Sequence, residues 1–269
     1  MIRSKARGRD VPVDVVLPDA DPATVGRLPT LTLLSGLAAA VQPPEHSVNY
    51  WTVLVKLQRS LEFLDNPTIG AKLAAGMRAD QRAVVEQWFN RPVRTKPAIY
   101  ILPHTETSPA NPRMHDYLGR ELVEVIDARY PTRAERAGRG IDGICFGGVE
   151  ALLTGLGHPE TFGMTGVMQA TMELDDTIRA GFRKARAATS NPPHVHLVTS
   201  DRDIYHSRIL ALTEWMKTEY PDHELHDYVG NHAFSFYENV GGPLTILRYL
   251  IWFDSGDISP PWDNVPRGG

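Results

Sequence analysis

The stretch Arg139-Gly-Ile-Asp-Gly-Ile-Cys-Phe-Gly-Gly-Val-Glu-Ala-Leu-Leu-Thr154 limits the possible folds of this chain more than any other. Within it, Gly143-Ile-Cys-Phe-Gly-Gly148 has a strand-forming run before it and a helix-forming run after it, with glycines two before and two after the central residue. This is the spacing of a strand–turn–helix nucleophile elbow with sulfur at its centre. A nucleophile held on such a turn stands exposed above a sheet edge, and the glycines let strand and helix backbones pass closely. The following helix begins beneath the sulfur, where its N-terminus favours a thiolate and an oxygen gaining negative charge. The bland reading is a buried cysteine in a Gly-rich turn, since free cysteine usually behaves as a small hydrophobe. On this stretch alone the two readings stand about even, so the rest of the chain has to supply the context.

The chain has 269 residues, 42% hydrophobic and 22% charged, enough for one substantial core. We expect a single α/β domain over 1–269, with a mostly parallel sheet and helices on both faces. A net charge of −4 gives no electrostatic footprint for nucleic acid or an anionic membrane. Cys145 is the one cysteine, so no intrachain disulfide forms, and a reducing, cytoplasmic compartment is expected. The basic start, residues 1–10, leads into no apolar run, which argues against a signal peptide, and no stretch is long enough to span a bilayer.

In chain order, Val11–Leu17 alternates as a strand and 18–22 makes a turn. Leu28–Leu34 is a second, buried strand ending at Ser35-Gly36-Leu37. A first oxyanion-binding N–H would sit there, although an ordinary glycine at a strand end fits the same residues. Residues 38–96 hold a loop with aromatic anchors at 43–51, then helical patterns over Val53–Leu64 and Ala79–Phe89, punctuated by Asn66-Pro67 and Arg91-Pro92. This excursion either covers a site or simply packs. Pro97–Pro103 is a third strand, 104–112 a loop, and Met114–Tyr130 an amphipathic helix closed by Pro131. A strand at 140–144 enters the elbow, a helix over 149–156 leaves it, and a strand at 162–168 follows. After a strand at 194–200 come a helix at 207–219, a strand at 224–229, a loop at 230–234, a helix at 243–252 and an irregular tail from Asp254. Strands alternating with helices argue for a parallel sheet.

Three residue types then converge. Cys145, an acid at Asp203 or Asp201, and His232 each follow an expected strand, which puts them at one sheet edge. Their order along the chain is nucleophile, acid, histidine. His232 would take the thiol proton and return it to a leaving group, and the carboxylate would orient the imidazole. Asp203 is preferred because the acid in such sheets lies a few residues past the strand end; Asp201 reads as a turn residue. The oxyanion would lie between the N–H groups of Leu37 and Phe146. Ser35, Tyr50, Trp51 and Phe234 are expected at the substrate. With Phe236 and Tyr237, the aromatic side chains suggest an apolar or aromatic acyl group, although core packing would use the same residues. His194-x-His196 places two imidazoles on one strand face, but no third ligand has suitable spacing, and no metal or cofactor is expected. There is no Gly-rich phosphate loop.

The chain resembles the esterase D-like branch of the α/β-hydrolases, which includes enterochelin-type esterases and bacterial mycolyltransferases. The resemblance rests on 29–37, 116–132, Gly157-His-Pro-Glu-Thr-Phe-Gly163 and Gly230-Asn-His-Ala-Phe-Ser-Phe-Tyr237, and it spans roughly 11–37 and 97–252. By position it implies Cys145 as nucleophile, His232 as base, Leu37 and Phe146 as oxyanion donors and Asp203 as acid. Cysteine stands where that branch normally has serine, and in this respect the elbow resembles that of dienelactone hydrolases. Ser35 stands where many relatives have His or Asp. The expected activity is hydrolysis of a small-molecule ester or thioester, carrier- or thiol-linked substrates included, through a Cys145 acyl-thioester. An acyltransferase or cyclase with the same triad, and a non-catalytic binding protein on the same fold, are the alternatives.

Overall fold

The computed structural model describes residues 1–19, 26–37, 49–65, 68–90, 97–104 and 111–256. The loop expected at 43–48, the punctuation at 66–67 and 91–92, most of the loop at 104–112 and the tail from 257 lie outside the described residues, as does the end of the turn at 18–22.

A two-stranded antiparallel hairpin, β1 (Ile2–Ser4) and β2 (Arg9–Val11), opens the chain. The sequence pattern suggested one strand over Val11–Leu17. Pro12 has no N–H to continue a ladder, so the run divides at that residue, and β3 (Val13–Val16) enters a different sheet. That sheet has seven strands in the order β3-β5-β4-β6-β7-β8-β9, with β4 (Thr30–Leu34), β5 (Ile99–Pro103), β6 (Arg139–Gly143), β7 (Met164–Met168), β8 (His194–Arg202) and β9 (His223–Asn231). Only β3 runs antiparallel; the other pairings are parallel. Strands β4 to β7 are buried along their whole length, as a sheet covered on both faces requires.

One face carries the 49–90 excursion and the closing helix. The excursion consists of a π turn (Tyr50–Leu54), α1 (Leu57–Asp65), α2 (Ala71–Ala75) and α3 (Ala79–Asn90). The helix expected from Val53 starts only at Leu57, because Lys56 adopts φ +56° and breaks the backbone there. Val53 is left 61% exposed, off the apolar stripe. The opposite face carries α4 (Pro112–Asp116), which passes through a π turn (Tyr117–Glu121) into α5 (Leu122–Arg129), and then α6 (Phe146–Gly157), α7 (Asp176–Ala188) and α8 (His206–Glu219). The amphipathic pattern over Met114–Tyr130 is thus one helical run carrying an extra residue. Helix α7 had no counterpart in the sequence reading. Its start is signalled by Asp175, whose carboxylate caps the Ile178 N–H at 2.9 Å, and its buried side follows Ile178, Phe182 and Ala185.

The last helix, α9 (Gly242–Ser255), packs Leu244, Leu247, Tyr249 and Phe253 against Leu31, Leu33 and Met164 of the sheet. It ends on Gly256 at φ +65°, the left-handed cap that glycine takes without strain. Among the described residues, no helix is long and apolar enough to cross a membrane.

Candidate active site

Strand β6 lies at the middle of the sheet, and its C-terminal end points at α6 through a two-residue turn. Cys145 takes φ +56° and ψ −116°, a backbone conformation that costs a non-glycine residue on the order of 1–3 kcal/mol. The surroundings fix it there. Its N–H donates to the Met168 carbonyl at 2.9 Å, and the Gly147 N–H turns back to the Ile144 carbonyl at 2.9 Å. The flanking glycines are required by space: a Cβ on Gly143 would lie 2.2 Å from the Gly147 carbonyl oxygen, and one on Gly147 would lie 2.6 Å from that of Ser35. The turn therefore closes only where strand and helix carry no side chain, which explains the two glycines seen in the sequence.

Strands β8 and β9 end on the same edge. His232 Nδ1 lies 2.8 Å from Asp203 Oδ1. The carboxylate is itself held by the Thr199 hydroxyl at 3.1 Å and the Tyr205 N–H at 3.1 Å. Asp201 faces elsewhere and accepts the Gly230 N–H at 2.9 Å, so the structure brings Asp203, not Asp201, to the histidine. The second ring nitrogen of His232 is not used by Asp203, and Cys145 acts on the same ring. Burial alone would lower the imidazole pKa. The bonds to Asp203 and Cys145 outweigh it and push the ring up to about 9.

The other expected site residues divide. Leu37 is part-exposed just beyond β4, and Phe146 is the first residue of α6, where an N–H has no partner within its own helix. Tyr50 is buried with its hydroxyl oxygen over Gly36 and close to Cys145, and its ring meets Phe234 at a centroid distance of 5.8 Å. Phe234 is 41% exposed and stands at the rim. Trp51 is turned into the core, its indole N–H donating to the Leu34 carbonyl at 3.2 Å. Ser35 is buried beneath the elbow, its carbonyl against Gly147. Tyr205 was not singled out in the sequence; its ring stands edge-on to His232 at 5.3 Å, two residues past the acid. A cavity of about 330 Å³ between α1, α2 and residues 238–243 has none of these residues in its wall.

A second polar cluster lies under the sheet. Parallel pairing of β8 with β9 sets His196 beside Glu224, and His226 lies two residues on. Ligand atoms of these three lie within 4.8 Å of one another, so the grouping takes His196 alone from β8, two residues from the neighbouring strand, and not the His194–His196 pair of the sequence. Arg248 occupies the carboxylate, however, with its Nε 2.8 and 2.9 Å from the two Glu224 oxygens. A guanidinium in that position repels a cation and takes both acceptor oxygens. Burial opposes ionisation of Glu224, but Arg248 and the neighbouring histidines hold it charged, well below the usual carboxylate range. Buried His196 is pushed well below its ordinary pKa. Asp142, fully buried on β6, is pushed up to about 8 by burial, against the Gly143 N–H it accepts at 2.6 Å. The Tyr249 hydroxyl donates to the Ile141 carbonyl at 3.0 Å, and burial together with the neighbouring Asp142 holds this phenol well above its ordinary pKa.

Residues 4–238 match the model of the family described as putative esterase. The chain belongs to this family. Among curated proteins none matches it in sequence. Similar solved structures include the S-formylglutathione hydrolase FrmB of Staphylococcus aureus, at 15% identity and TM-score 0.62, with 93% of this chain and 95% of that one covered. The fluorophosphonate-binding serine hydrolase FphF of the same organism superposes at TM-score 0.64 and 16% identity over 91% and 93%. The enterobactin esterase of Shigella flexneri superposes at 0.61 and 16%; this chain covers 57% of its length. At these identities the likeness establishes the fold, which is that of the α/β-hydrolases. With the family match, this esterase-family protein is an esterase-like hydrolase.

Proposed function

We propose that the protein hydrolyses small-molecule esters or thioesters through a covalent acyl-thioester on Cys145, with His232 as general base and Asp203 as the group that orients it. The observation that carries this reading is a strained Cys145 at the end of the central strand, on the same sheet edge as a histidine whose Nδ1 lies 2.8 Å from a buried carboxylate and whose pKa the cysteine helps to raise.

The thiol proton passes to His232, and the sulfur attacks the acyl carbonyl carbon. The resulting oxyanion is met by the N–H groups of Leu37 and Phe146, the latter at the N-terminus of α6 where the helix dipole adds to it. Collapse breaks the bond to the leaving oxygen or sulfur, which takes the proton back from His232. Water, deprotonated by the same ring, then attacks the thioester, and the carboxylate product leaves as Cys145 regains its proton. Asp203 stabilises the imidazolium formed in both halves, and the upward shift of the ring to about 9 is the signature of that pairing. FphF is described as a serine hydrolase; with cysteine at the elbow here, the attacking atom is sulfur and the covalent intermediate is a thioester rather than an ester. We read the chain as one domain in which the 38–96 excursion contributes Tyr50 to the site.

The test is turnover of p-nitrophenyl butyrate and a matched aryl thioester by the wild type, Cys145→Ala and His232→Ala. Both variants are expected to lose at least roughly 10³-fold in kcat/KM. A Cys145→Ala protein within tenfold of wild type on both substrates would contradict the reading.

A further inference from the structure

Tyr237 begins a π turn (Tyr237–Gly241) five residues after His232, and such turns often occur at functional sites. Its ring is gripped edge-on by His232 at 5.9 Å, Phe234 at 6.1 Å and Phe236 at 6.1 Å. The residue is 3% exposed, and its hydroxyl oxygen is buried with no hydrogen-bond partner among the described residues. The ring contact with His232 sets Tyr237 beside the triad, and burial with the neighbouring Tyr50, Cys145, Asp203 and Tyr205 raises its pKa. The Tyr50 oxygen lies over Gly36. A Cβ on Gly36 would lie 3.2 Å from that oxygen and 3.3 Å from the Cys145 Cβ. Two phenols therefore flank the site, Tyr50 on the side of Cys145 and Tyr237 on the side of His232, and the second has no partner among the described residues.

A buried hydroxyl without a partner is costly, and native proteins rarely leave one without a reason. Phenylalanine, which the chain uses at 234 and 236, would fill the same space without that cost. We propose that the Tyr237 hydroxyl donates a hydrogen bond to an oxygen of the acyl group bound at Cys145, a side-chain donor beyond the two backbone N–H groups. The acceptor is the reacting carbonyl oxygen or an oxygen substituent on the acyl chain. This rests on the acyl-enzyme reading of the site.

The experiment compares Tyr237→Phe with wild type on p-nitrophenyl butyrate and p-nitrophenyl 3-hydroxybutyrate, alongside thermal unfolding of the free proteins. The variant is expected to lose roughly five- to fifteenfold in kcat/KM, the size of one neutral hydrogen bond. A loss on both esters identifies the carbonyl as acceptor, and a loss on the hydroxyacyl ester alone identifies the substituent. The free variant is expected to melt at or above the wild-type temperature, because no bond is removed from it. Rates within twofold of wild type on both esters, or a melting temperature that falls, would overturn the inference. Cys145→Ala is assayed beside it. If that variant still turns over esters, the reading of the whole site fails; if it is dead while Tyr237→Phe behaves as wild type, only the role of Tyr237 fails.

Discussion

Two clusters of histidine and carboxylate among the described residues invite comparison, and we assign chemistry to the one at the sheet edge. At the sheet edge, His232 is partly open, carries one carboxylate partner, and faces a sulfur on a strained backbone. Within the sheet, His194, His196 and His226 are buried around Glu224, and an arginine closes the set. The residue types are nearly the same. What differs is access and backbone strain. Proximity of titratable groups is therefore a poor marker of function; a reactive site also keeps a nucleophile within reach of solvent.

The contrast can be broken most forcefully at the edge. Asp203→Asn should lower kcat/KM by roughly 10²- to 10⁴-fold while leaving the melting temperature close to wild type, because the site loses its imidazole orientation and little packing. A loss below tenfold in steady-state kinetics would place the acid elsewhere. The inner cluster should answer in the other currency, stability. Arg248→Leu leaves a buried, unpaired Glu224 and should cost roughly 3–5 kcal/mol in denaturant unfolding, with kcat/KM per folded molecule within a few-fold. Adding Glu224→Leu should recover most of that loss, since a buried ion pair contributes little beyond what well-packed apolar groups supply. If activity falls and stability does not, the two clusters are not separate in function.

Smaller effects come from pH. Asp142 is held protonated up to about 8 against an ordinary value of 3.8. The unfolded chain releases this proton first, so the contribution is full below about 3.8 and is lost as pH rises through about 8. Asp142→Asn should therefore show a flatter melting temperature between pH 5 and 8, with its largest gain over wild type at the upper end. His232 works in the same direction: raised from 6.5 to about 9, it stabilises the fold fully below 6.5 and loses that contribution as pH passes 9. His232→Gln should lack that last decline in a pH series of melting curves.

Much of the edge cluster was legible in the sequence because each member follows a strand and carries a local signature. The glycines at 143 and 147 announced the turn, and chain order placed Cys145, Asp203 and His232. The choice between Asp201 and Asp203 needed geometry, because both stand at the end of β8 and only the direction of the chain after it decides which reaches the imidazole. The inner cluster was only half visible: His194 and His196 share a strand, but Glu224 and His226 join them through β8–β9 pairing, which no local spacing encodes. Trp51 was expected at the substrate and packs inward, since an aromatic beside Tyr50 has the same sequence signature on either side of a π turn. The start of helix α7 is marked in the sequence by its Asp175 cap alone.

The most direct test is intact mass after mixing the protein with p-nitrophenyl butyrate, wild type beside Cys145→Ala, followed by peptide mapping of any adduct. The account predicts one butyryl group on wild type, located on the peptide carrying Cys145, that decays in water and never forms on the alanine variant. A butyryl group on Cys145→Ala, or on a wild-type peptide lacking Cys145, would contradict it.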